Sequence, residues 1–88
     1  MPIVSQFYGI IISMYFNDTD RHHLPHIHVQ YAEYRCSVDF DGNILSGTIP
    51  NKQKKLIVAW IELRKEELIT LWNMLQSGNG TFTIEPLK

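Results

Sequence analysis

The stretch HIHVQYAEYRCSVDF, residues 26–40, decides the fold. Over residues 26–31 apolar and polar side chains alternate. Ile27, Val29 and Tyr31 point one way and His26, His28 and Gln30 the other, because successive strand residues project to opposite faces. Residues 34–40 repeat the pattern. Tyr34, Cys36, Val38 and Phe40 form an apolar face, and Arg35, Ser37 and Asp39 a polar one. Two such runs joined by the short Ala32-Glu33 connection predict adjacent antiparallel strands with one face on a core.

The neighbouring segments extend this sheet. Asp41-Gly42-Asn43 is a hairpin turn, since Gly and Asn tolerate positive φ, and residues 44–49 follow as a short strand. Upstream, residues 6–16 read as one strand with Tyr8, Ile10, Ile12, Met14 and Phe16 on a wholly apolar face. Its aromatic and β-branched content suits a central position. Residues 17–25 read as a loop. Downstream, Pro50 and Asn51 mark a helix start, and residues 52–76 turn helical. Leu56, Trp60 and Leu63 share one face; Ile61, Leu68, Trp72 and Leu75 continue the apolar stripe. The charged run Arg64-Lys65-Glu66-Glu67 interrupts it, so the helix bends there or divides in two. Ser77-Gly78-Asn79-Gly80 ends the helix, and residues 81–84 suggest a last short strand. The expected fold is α+β: an antiparallel β-meander of four to five short strands against one long helix, kinked or split, forming a single domain over residues 1–88.

Composition narrows the function classes. With 44% hydrophobic and 19% charged residues the chain has enough apolar matter to fold, unlike a disordered segment. A net charge of −1 offers no basic surplus, so nucleic acid is an unfavoured direct ligand. The single cysteine rules out an internal disulfide and suits a reducing compartment. Cys36, in a strand beside Val38, reads as a small buried hydrophobe. The apolar stretch at residues 9–12 is far too short to span a bilayer. No basic leader precedes it. The expectation is a cytoplasmic protein with no membrane association.

The unusual feature is the placement of the four histidines, all within residues 22–28. His26 and His28, at i and i+2, share a strand face opposite Ile27 and Val29, so neither should be an ordinary core histidine. His22 or His23, on the preceding loop, would fold back toward them. Three converging imidazoles can hold a divalent metal such as zinc with a fourth position open. The candidate ligand set is His22, His26 and His28; Asp39, on the polar face of the next strand, is a further ligand or an orienting carboxylate, with Asp18 and Asp20 behind it. The plainer reading carries more weight, because a His-x-His pair is short and common. On that reading the histidines bond to backbone or carboxylates, or line a protein-binding or pH-sensitive surface. Trp60 and Trp72 read as core, and Lys52, Lys54 and Lys55 as a solvated helix start. No Gly-x-Ser-x-Gly elbow accompanies the Ser, His and Asp residues.

The chain resembles a widespread bacterial family of small proteins classed as a domain of unknown function, DUF4160. The matching features are Phe7-Tyr8-Gly9-Ile10, Met14-Tyr15-Phe16-Asn17-Asp18, Pro25-His26-Ile27-His28-Val29, the Trp60, Glu67-Leu68 and Trp72 pattern, and the closing Ile84-Glu85-Pro86-Leu87. Residues 14–29 are the most specific part. Thr19, Asp20 and Arg21 look inserted relative to the usual form of the family, and the resemblance places His22 where the family often has its first histidine. The resemblance implies gene pairs of a toxin–antitoxin or regulatory kind, and no activity.

Three readings follow. The first is a protein-interaction or regulatory module that binds a partner or a second copy, with exposed strand edges as docking sites. The second is a metal-dependent hydrolase or nuclease built on the histidine cluster. The third, direct DNA binding through the helix, is the least supported by the charge. Whether the chain is an enzyme is not decided by its sequence.

Overall fold

The computed structural model of the chain describes residues 3–15 and 24–88. Five strands, β1 (Ile3–Phe7), β2 (Ile10–Ser13), β3 (His26–Tyr31), β4 (Tyr34–Asp39) and β5 (Ile44–Gly47), precede one helix, α1 (Asn51–Ser77). The strands form one antiparallel sheet in sequential order. The expected α+β meander with a single long helix is the observed architecture.

The β3–β4 hairpin matches the alternation residue for residue. Ile27 faces Val38 and Val29 faces Cys36, while His28 faces Ser37 and Gln30 faces Arg35. Ala32 takes a positive φ of 50° in the two-residue turn between Tyr31 and Tyr34. β2 adds Ile10 and Ile12 to the apolar face, and Met14 follows just beyond it, all fully buried.

The strand expected over residues 6–16 is instead two strands. Tyr8 and Gly9 both adopt positive φ, 50° and 79°, and close a tight hairpin in which Phe7 pairs with Ile10. Two positive-φ residues give the backbone twist that joins adjacent antiparallel strands. Tyr8 is thereby 60% exposed, and Phe7 turns to the core in its place. A bulge in β1, where the register shifts between Ile3 and Ser5, brings both Val4 and Ser5 to the buried side.

The helix covers the apolar face. Its buried residues include Ile57, Trp60 and Ile61, then Leu68, Leu71, Trp72 and Leu75. The expected bend falls at Arg64, with φ −116° and ψ 19°. It shifts the phase of the buried stripe, so Leu63, expected on the inner face, is 69% exposed. Lys65 reaches the β4–β5 turn, its Nζ 2.9 Å from an Asp41 carboxylate oxygen. Asn51 makes no side-chain cap. The C-terminal end is closed by Gly78 at φ 75°, whose N–H donates to Leu75 O while that of Asn79 donates to Met74 O, the left-handed arrangement that satisfies the last carbonyls.

Residues 81–84 form no strand. The segment is pinned instead by two bonds: Ile84 N–H to Val4 O at 2.9 Å, and Trp60 Nε1–H to Glu85 O at 2.8 Å. It lies along β1, and the Trp60 indole packs against Phe7 with ring centroids 5.5 Å apart.

Gly47 and Gly78 share a left-handed backbone but not a neighbourhood. A Cβ on Gly47 would collide with the Arg35 carbonyl and come within 2.8 Å of Cys36 Cα, whereas one on Gly78 would meet nothing within 4 Å. Gly78→Ala is expected to cost about 1 kcal/mol, the left-handed strain alone. Gly47→Ala should cost about 3 kcal/mol or more, since backbone overlap adds to it. Denaturant unfolding of the two variants checks the difference. In the same assay Ser5→Ala should be neutral or stabilising by up to about 1 kcal/mol, because the buried Ser5 hydroxyl makes no hydrogen bond among the described residues.

Candidate functional site

Strand register builds the polar face of the sheet into rows. Ser13 pairs with His28, His28 with Ser37 and Ser37 with Ser46, so one line of three hydroxyls and an imidazole crosses four strands. The next row is Ile11, Gln30 and Arg35. On the other side His26 pairs with Asp39. Ser13, Tyr15, His28, Arg35, Ser37 and Ser46 surround a shallow cleft. Ser13 and Ser37 line it as buried residues, each 6% exposed, and Arg35 and Ser46 stand exposed beside them.

His26 and His28 converge as the i, i+2 spacing predicts, with ring centroids 5.1 Å apart. Their environments differ. His28 is half-buried, lies 4.2 Å from the Tyr15 ring, and its Nδ1 is 3.4 Å from Ser37 Oγ. His26 is 1% exposed, against the expectation that it stands clear of the core. The cause is Trp72 from the far half of α1, whose ring centroid is 5.3 Å from that of His26. His26 Nδ1 donates to Leu24 O at 2.7 Å; a carbonyl can only accept, so this nitrogen carries the proton.

Asp39 is committed to the turn that follows it. One carboxylate oxygen accepts the Asp41 and Asn43 backbone N–H groups at 2.9 and 2.8 Å, and the other accepts Asn43 Nδ2–H at 3.2 Å. Burial pushes this carboxyl up, but the hydrogen bonds from Asn43 and Asp41 outweigh it and hold the group below its ordinary value. Cys36 is buried and its thiol pushed up by that burial, which suits a packing role and not a nucleophile.

Among the described residues no group of three or more His, Cys, Asp or Glu side chains is arranged to hold a metal ion. His22, His23, Asp18 and Asp20 lie outside the described residues. The residues that sequence reasoning did not single out are Ser13, Tyr15, Arg35, Ser37 and Ser46. Their parity was readable, but only the register aligns them across four strands.

A five-stranded antiparallel sheet backed on one face by a bent helix, with a polar cleft on the other, defines a small two-layer α+β domain. The chain belongs to the family described as Domain of unknown function (DUF4160), whose model matches residues 9–73, from the glycine of the β1–β2 turn into the last turns of α1. No curated protein and no solved structure matches it. No helix among the described residues is long and apolar enough to cross a membrane.

The lowered Asp39 pKa fixes a sign. Its contribution to stability is present above the unfolded-state value of about 4 and is lost as pH falls through the lowered native one. Asp39→Asn should therefore cost about 1–2 kcal/mol near neutrality, and the gap to the parent should close as pH drops below about 4. Chemical unfolding across that range measures it.

Proposed function

We propose that this domain is a non-enzymatic protein-interaction module of a regulatory pair, of the toxin–antitoxin kind that the family resemblance implies. The observation that carries the reading is the polar sheet face opposite α1, on which Gln30, Arg35 and Ser46 are exposed. Docking by strand addition is less well supported than docking on this face. The segment around Ile84 bonds to β1, and both edge strands carry register shifts, a device that discourages edge pairing.

Co-expression with the product of the adjacent gene is expected to give a stable complex by size exclusion. Arg35→Glu should weaken that complex about tenfold or more without shifting the melting temperature, because the side chain is exposed. Clean monomers that ignore the adjacent product would defeat the reading.

A second reading, a metal-dependent hydrolase or nuclease, draws support from the 5.1 Å approach of the His26 and His28 rings. His22 would complete the set, and a divalent ion such as zinc would supply an activated water. Elemental analysis of untagged protein is expected, on this reading, to find one equivalent of metal that raises the melting temperature. Metal-free protein indifferent to added zinc would eliminate it.

A further inference from the structure

We propose that the cleft on the polar sheet face is an anion site that takes the phosphoryl group of a small phosphate monoester. Its polar side chains offer hydrogen-bond donors: the hydroxyls of Ser13, Ser37, Ser46 and Tyr15, and the Arg35 guanidinium. Among the described residues no carboxylate lines it. Asp39, on the same face of β4, has both oxygens turned into the Asp41–Asn43 turn, so it does not cancel the charge of Arg35.

Burial distinguishes this cleft from a merely solvated sheet face. Small hydroxyls on a solvated sheet face should be wet, yet Ser13 is 6% and Ser37 6% exposed. They line the cleft as buried hydroxyls, beside the exposed Arg35. Arg35 has no ion pair among the described residues, so its fork of N–H groups is available to an incoming oxyanion.

Size and geometry select phosphoryl over the alternatives. The cleft holds about 180 Å³, below the roughly 300–1,000 Å³ of a pocket for a drug-sized ligand. A carboxylate's two oxygens would be satisfied by the guanidinium alone. A phosphoryl group has three terminal oxygens, which can meet Arg35 and also hydroxyls on neighbouring strands about 4.8 Å apart. The inference goes beyond the docking reading and survives its failure, since it concerns the isolated chain.

The test is an NMR titration of the isotope-labelled full chain with inorganic phosphate and with glycerol 3-phosphate, at constant ionic strength, with acetate in a parallel arm. The expected result is saturable shifts in the amides of Ser13, His28, Arg35, Ser37 and Ser46 with both phosphates. Acetate should bind about tenfold more weakly or not at all. Arg35→Gln and Ser46→Ala, both at exposed positions, should keep the parent spectrum; Arg35→Gln should weaken phosphate binding about tenfold or more. Absent saturation, acetate binding as well as phosphate, shifts centred on Lys52, Lys54 and Lys55, or an Arg35→Gln variant that binds like the parent would each overturn the proposal.

Discussion

Six consecutive cross-strand pairs, from His26–Asp39 to Tyr31–Tyr34, hold β3 against β4 without a break. A strand has a side-chain period of two, so this register assigns every residue of both strands to a face at once. A slip of one position would put His28 and Ser37 into the core and expose Ile27 and Val38. The turns obey the same constraint: Tyr8-Gly9 and Ala32-Glu33 are the two-residue connections that set the register of β1 on β2 and of β3 on β4. Only then does α1 find a continuous apolar surface to cover.

The meander was legible because hydrophobic alternation and turn residues speak directly through local sequence. What escaped was set by geometry that local pattern does not encode. Residues 7–16 are almost uniformly apolar, so alternation could not show that the chain reverses at Tyr8; Gly9 was the one clue. Leu63 fits a helical stripe with Leu56 and Trp60, but the bend at Arg64 rotates the stripe onto Ile61 and Leu68. The stretch at 81–84 has strand character and ends as a single backbone bond to a bulged edge.

The site divides the same way. That His26 and His28 come together followed from their spacing. That Trp72 seals His26 did not, since the two residues are 46 positions apart and meet only after the helix folds back over the sheet. Asp39 looked free to assist a histidine, yet Asn43 supplies enough donors to hold it in the turn. The row Ser13, His28, Ser37 and Ser46 depends on three separate pairings, and serine carries little signal by itself.

Both functional readings of the polar face rest on that row being where the register puts it. Interstrand backbone contacts measured by nuclear Overhauser spectroscopy test it most directly. The account predicts contacts linking Ser13 to His28, His28 to Ser37 and Ser37 to Ser46. A pattern displaced by one residue, with His28 opposite Cys36 or Val38, would contradict it.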